Sequence, residues 1–264
     1  SWTTFDIDGD ARPDLVVTSQ SGSAPGTSES RYWIVYRNNS RGFETSPTQW
    51  RIPNGSGDPG RGGFYVIADR NLYDGYDSWS TIDITGDGRP DLIITSRSGS
   101  TPGASSSRHW LVHENSGSGF SETPTQWSLP DGAGDPGRGG YFTTAEQNLY
   151  DGYESWATLD ITGDSRPDLV ITSRSGSTPG RDGLRYWIVH ENNGSRFETS
   201  PTQWSIPDGL GDPGRCGYSM IEESHLYDGY ESWTTMDLTG DSSPDLVITS
   251  QSGMTPGSEA SRYW

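Results

Sequence analysis

Apolar residues along this chain fall in short runs at strand spacing, separated by turn-forming stretches. Ser155-Trp-Ala-Thr-Leu-Asp160 alternates as a half-buried strand does, and the turn-rich stretch from Ile161 to Pro167 interrupts it. Asp168-Leu-Val-Ile-Thr172 is β-branched and apolar and predicts a second strand. Ser173 to Gly183 reads as a Ser/Gly/Pro-rich loop, followed by a third strand, Arg185-Tyr-Trp-Ile-Val-His190. A fourth is expected within Phe197 to Pro207, around Pro-Thr-Gln-Trp204. From Asp208 to Glu231 the chain is Gly/Pro-rich and then aromatic, which predicts a long ordered loop with room for a fifth strand.

The same pattern recurs every 77 residues. Trp2, Trp79, Trp156 and Trp233 are successive equivalents, as are Trp33, Trp110, Trp187 and Trp264, and Trp50, Trp127 and Trp204, so all 11 tryptophans occupy three positions of one unit. The units are 1–77, 78–154 and 155–231, with a partial fourth at 232–264. One four-stranded sheet with few apolar residues gains stability by stacking on its neighbours. The expected fold is therefore all-β: tandem four-stranded antiparallel sheets, resembling propeller blades, with a 77-residue period. The fourth unit stops inside its third strand and leaves a sheet edge open. A window cut from a longer repeat protein, pairing with another subunit, and a proteolytic fragment would each account for it.

Composition agrees with distributed burial, because only 29% of the 264 residues are hydrophobic and Gly and Pro number 35 and 17. A net charge of −18 argues against nucleic acid or an anionic membrane as partner and makes cations the natural counter-charge. All 18 basic residues are Arg, which suits fixed planar contacts to carboxylates. Cys216 is the single cysteine, at the position held by Gly62 and Gly139, so no internal disulfide is possible. No apolar run reaches the roughly 20 residues of a membrane-spanning helix. Ser1 begins inside the repeat pattern with no signal-like segment, which reads as mature protein or a fragment.

The most informative chemistry is Asp6-Ile-Asp-Gly-Asp-Ala-Arg-Pro-Asp14, with carboxylates Asp6, Asp8, Asp10 and Asp14 at loop positions 1, 3, 5 and 9. A tight turn at Gly9 can converge alternate side chains on one point, where hard oxygens suit Ca²⁺ at about 2.3 to 2.6 Å and the Arg12 carbonyl adds another oxygen. The later copies place Asp83, Thr85, Asp87, Arg89 and Asp91; Asp160, Thr162, Asp164, Arg166 and Asp168; and Asp237, Thr239, Asp241, Ser243 and Asp245 at the same five positions. Thr at position 3 offers only a neutral oxygen, so weaker, more hydrated sites are expected there and the tightest in the first unit. The competing explanation is Asx-turns, which also favour Asp beside Gly.

The pattern Asp-x-Asp-Gly-Asp-x-x-x-Asp-Leu between strands resembles the FG-GAP or VCBS-type repeats of integrin α-subunit propellers, some fungal propeller lectins and many bacterial secreted proteins. The resemblance implies propeller blades with calcium in the loop between the first two strands. The 77-residue unit is longer than a usual blade of that family, and Thr at position 3 departs from its pattern.

No acid, base or nucleophile stands apart from the repeat, so an enzyme is not expected. The leading expectation is an extracellular, secreted or cell-surface calcium-binding protein with a structural or adhesive role, self-associating or continuing into further repeats, such as a filament. The alternative is a lectin with one glycan site per repeat. Its candidate contacts are the recurrent Tyr73, Asp74 and Tyr76; Tyr150, Asp151 and Tyr153; and Tyr227, Asp228 and Tyr230, for which inter-repeat packing is the rival role. Asn38, Asn54 and Asn193 begin N-glycosylation triplets.

Overall fold

The computed structural model describes the chain except residues 55, 56, 59, 60, 74, 132, 133, 136, 149, 208–210, 213, 214, 226–228, 259, 260, 263 and 264. Asp74, Tyr227, Asp228 and Trp264 thus lie outside the described residues.

Every regular element among the described residues is a strand. The first repeat holds β1 (Trp2–Phe5), β2 (Asp14–Val17), β3 (Gly26–Thr27), β4 (Ser30–Tyr36) and β5 (Thr48–Arg51). The second holds β6 (Ser78–Ile82), β7 (Asp91–Ser96), β8 (His109–His113), β9 (Thr125–Ser128) and, in its tail, β10 (Ala145–Glu146). The third holds β11 (Glu154–Leu159), β12 (Asp168–Arg174), β13 (Tyr186–His190) and β14 (Thr202–Ser205). Next come β15 (Glu231–Met236), β16 (Asp245–Gln251), β17 (Gly257–Ser258) and β18 (Ser261–Arg262). Each of the three full repeats forms an antiparallel meander of four main strands, with orders β1-β2-β4-β5, β6-β7-β8-β9 and β11-β12-β13-β14. The fold class expected from the period is the fold observed.

Two details exceed the sequence pattern. The fourth strand is only four residues long in each full repeat, because Pro47, Pro124 and Pro201 stand immediately before it and lack the N–H that pairing needs. The long tail of the second repeat holds the fifth strand for which its sequence left room, and what exceeds the pattern is the partner, because β10 pairs antiparallel with β11 of the following sheet. Asp69 and Trp79 exchange both backbone hydrogen bonds at 2.9 Å, and Glu223 and Trp233 do the same. The ladder shifts register at Ser78/Trp79, Ser155/Trp156 and Ser232/Trp233, a bulge immediately before the first-strand tryptophan.

The chain divides into two compact units, the first built mainly from residues 1–132 and the second mainly from 144–264. In the first, Ile7, Val16, Trp33, Val35, Trp50 and Phe64 share one core with Trp79, Leu92, Ile94 and Phe120, so neighbouring repeats bury each other's apolar faces. Trp33 Nε1 donates to Phe64 O at 2.6 Å and Trp79 Nε1 to Val66 O at 2.9 Å, tying the long tail down. Phe64 meets Trp79 edge-on at 5.1 Å and Phe120 meets Trp33 edge-on at 5.4 Å. The second unit repeats the scheme with Trp187, Tyr218 and Trp233 around Ile161, Val170 and Val189. Trp187 Nε1 donates to Tyr218 O at 2.7 Å and Trp233 Nε1 to Met220 O at 3.0 Å.

Candidate metal centre

The loop between the first two strands is wound by two left-handed residues. Gly9 sits at φ 82° and Ala11 at φ 65°, with Gly86 and Gly88, Gly163 and Ser165, and Gly240 and Ser242 in the same conformations. Glycine tolerates that conformation at least cost, which accounts for most of these positions, while Ala11, Ser165 and Ser242 are small residues held there at some cost. The winding aims three successive amides at the position-1 carboxylate: Gly9 N and Asp10 N donate to Asp6 Oδ1 at 2.8 and 3.1 Å, and Ala11 N to Asp6 Oδ2 at 2.7 Å. Asp83, Asp160 and Asp237 each accept the same three bonds. The position-1 aspartate therefore shapes the loop, while its Oδ2, with a single donor, retains further acceptor capacity.

Position 5 is engaged by the arginine of its own loop. Asp10 Oδ1 accepts the Arg12 amide at 2.9 Å and Asp10 Oδ2 pairs with the Arg12 guanidinium, whose Nε donates to Asn38 O at 2.9 Å. Asp87 with Arg89 and Asp164 with Arg166 repeat the arrangement on Asn115 O and Asn192 O. In the fourth loop Asp241 Oδ1 accepts the Ser243 amide at 2.9 Å. The position-7 side chain is thus the partner of position 5.

Position 9 is where the copies diverge. Asp14, Asp91 and Asp168 are at most 1% exposed, and their Oδ1 atoms accept the amides of Asn38, Asn115 and Asn192, each at 2.8 Å. Asp91 Oδ2 accepts from Thr85 Oγ1 at 3.1 Å and from Thr85 N at 3.3 Å. Asp168 Oδ2 accepts the same pair from Thr162 at 3.2 and 3.3 Å. Asp245 Oδ2 accepts the Leu238 and Thr239 amides at 3.1 Å. In the first loop position 3 is Asp8, which has no hydroxyl to give, and Asp14 Oδ2 is buried without a hydrogen bond. Asp8 Oδ1 is buried and unbonded as well. One carboxylate oxygen from each of Asp6, Asp8 and Asp14 lies within 4.8 Å of the others. Arg37 approaches from one side, its Nε 3.3 Å from Asp8 Oδ2.

Burial raises the Asp14 carboxyl above its ordinary value, the backbone amides of Asn38 and, more weakly, Ile7 oppose this, and Asp8 and Asp10 raise it further. Burial likewise pushes Asp91 up to about 6, against the Asn115 and Thr85 hydrogen bonds, and raises Asp168. Buried, unbonded carboxylate oxygens on two residues of one cluster are costly without a cation, and their hard-oxygen chemistry fits a divalent ion.

The aromatic segments separate by position. Tyr73 and Tyr150, equivalent in two repeats, are each 75% exposed, whereas Tyr76, Tyr153 and Tyr230 are half-buried. Tyr230 stacks on His225 at 5.0 Å. Asp151 is exposed. Sequence reasoning did not single out a groove that two repeats share: about 470 Å³ in the first unit, with Tyr32, Gln49 and Arg51 on its wall, and about 510 Å³ in the second, with Tyr186, Gln203 and Ser205 at the same repeat positions.

Asn38 Nδ2 donates to Pro13 O at 3.0 Å as part of the first metal loop's frame. Exposed Asn54 donates to Glu29 O at 2.7 Å, and exposed Asn193 to Glu198 Oε1 at 2.5 Å. No helix is long and apolar enough to cross a membrane among the described residues.

No protein-family model matches the sequence, and no curated protein matches it. Among solved structures, the chain is similar to an Agrocybe aegerita lectin described as specifically recognising non-reducing terminal N-acetylglucosamine, at 17% identity and a TM-score of 0.42. The match covers 96% of this chain and 50% of the lectin, so the chain spans about half the lectin's length.

Proposed function

We propose that this is an extracellular, calcium-stabilised repeat protein with a structural or adhesive role, in which the first loop is the principal cation site. The observation that carries this reading is Asp14 Oδ2, an oxygen of a buried residue that makes no hydrogen bond of ordinary geometry, on a carboxylate clustered with those of Asp6 and Asp8. Those three side chains would hold the ion, with the Arg12 carbonyl and water as further oxygens. Bound calcium would neutralise carboxylates that otherwise repel one another and would lock the β1–β2 connection.

The Thr-containing loops are expected to bind more weakly, because Thr85 and Thr162 already occupy the position-9 oxygen that an ion would take. A ligand that binds only the folded state raises its stability by RT ln(1 + [L]/Kd). The melting transition is therefore expected to rise in millimolar CaCl₂ relative to EDTA, and Asp8→Thr to remove most of that rise. Identical melts in calcium and chelator would refute the reading.

A glycan-binding role is the second reading, and the shared groove together with the exposed Tyr73 and Tyr150 supports it. Tyr rings stack on sugar faces while Gln and Arg reach hydroxyls. On this reading a glycan array gives calcium-dependent signal, weakened by Tyr32→Ala with Tyr186→Ala if the grooves bind, or by Tyr73→Ala with Tyr150→Ala if the exposed tips do. An array without signal in calcium removes this reading.

A further inference from the structure

We propose that Arg37 is a tethered counter-ion of the first loop, which a divalent cation must displace, and that it sets the affinity of that site. The inference rests on the calcium reading above and names the residue that tunes it.

Arg37 follows β4 and reaches the loop from outside. Its Nε lies 3.3 Å from Asp8 Oδ2 yet makes no hydrogen bond of ordinary geometry, and its Nη2 donates to Gly117 O at a long 3.5 Å. The attraction is therefore one of charge more than of directional bonding. It also leaves the chemistry of the cluster unfinished: Asp8 Oδ1 and Asp14 Oδ2 remain buried and unbonded with the guanidinium in place. A planar guanidinium can address one edge of one carboxylate, whereas a spherical divalent ion takes oxygens from all three at once. The Arg37 side chain is 42% exposed and the Asp8 side chain 11%, so Arg37 can withdraw into water while Asp8 has to stay.

The other repeats change both members of this pair together. Thr85 and Thr162 replace Asp8, and Glu114 and Glu191 replace Arg37. Arginine appears at this position in the copy that carries the third carboxylate. The loop arginines Arg12, Arg89 and Arg166 recur in three copies and bind the position-5 aspartates, so Arg37 is not part of the general loop frame. The ion meets three carboxylates once Arg37 has left, so its charge is not matched by the arginine, but its binding has to exceed an existing ion pair. A site blocked in this way for part of the time binds with an affinity reduced by the blocked fraction.

Calcium titration of the full chain by calorimetry, with melting curves in EDTA and in CaCl₂, tests this on wild type, Arg37→Gln and Asp8→Thr. Arg37→Glu, which carries the residue of the other repeats, serves as a second substitution should the glutamine variant fold poorly. Removing one positive charge 3.3 Å from a ligand carboxylate is expected to tighten calcium binding by roughly tenfold. The same change should lower the melting temperature in EDTA and enlarge the calcium-induced rise, an opposing pair of shifts that a merely structural arginine would not produce. Equal or weaker binding by both Arg37 variants, with Asp8→Thr still abolishing it, overturns the role of Arg37 and leaves the calcium reading standing. Absence of calcium binding in wild type and variants alike overturns both.

Discussion

Trp79→Ala is expected to destabilise the first compact unit by about 3 to 5 kcal/mol, the range for emptying a packed aromatic site, whereas Trp2→Ala at the same repeat position is expected to cost under about 0.5 kcal/mol. Trp79 is 2% exposed, its indole N–H is satisfied by Val66 O, and Phe64 and Tyr65 meet its ring edge-on at 5.1 and 5.8 Å. Trp2 is 72% exposed. The difference between them is the tail of the preceding repeat, which supplies Phe64 to Asp69 over Trp79. Urea denaturation followed by tryptophan fluorescence reads both values. Similar costs for the two substitutions would mean that the tail is not what makes the first-strand tryptophan a core residue.

Asp14→Asn is expected to abolish the calcium response while leaving the protein as stable as wild type, or slightly more so, in EDTA. The asparagine carbonyl oxygen can still accept the Asn38 amide, and its NH₂ can donate toward Asp8, where the wild-type oxygen has no donor. The sign follows from the raised Asp14 carboxyl. A carboxyl whose value is higher folded than unfolded favours the folded state when protonated, and that contribution is lost as pH rises through the folded value. In chelator, wild type should therefore lose stability between the ordinary carboxylate range and neutrality in a way that the asparagine variant does not. The expected signature is the direction of this slope, present in wild type and absent from the variant. A large loss of stability for Asp14→Asn in EDTA would show that the negative charge itself, and not a missing cation, is what the loop is built around.

Period and strand positions were readable from the sequence because eleven tryptophans mark them and the apolar runs between turns have strand length. The bulge before Trp79, Trp156 and Trp233 was not readable, since a one-residue shift against the second strand leaves no mark in the apolar pattern. Within the loop, spacing alone counts four aspartates as equals. The structure divides them: Asp6 holds the backbone, Asp10 holds Arg12, and Asp8 and Asp14 each keep a buried oxygen without a hydrogen bond. A signal for the role of Asp10 was present, because an arginine two residues on recurs in three of the four loops. The self-satisfaction of Thr85 on Asp91 is a three-dimensional fact, since it requires the loop to bring positions 3 and 9 within 3.1 Å. Arg37 escaped notice because it lies outside the motif, although its exchange for Glu114 and Glu191 alongside that of Asp8 for Thr was visible.

The most direct test of the account is a crystal structure of the full chain grown with calcium, with the anomalous signal of the ion used to place it. The account predicts a strong peak bonded to Asp6, Asp8 and Asp14, weaker density or none in the three Thr-containing loops, and the Arg37 guanidinium moved off Asp8. A first loop without a peak, or four peaks of equal height, would contradict it.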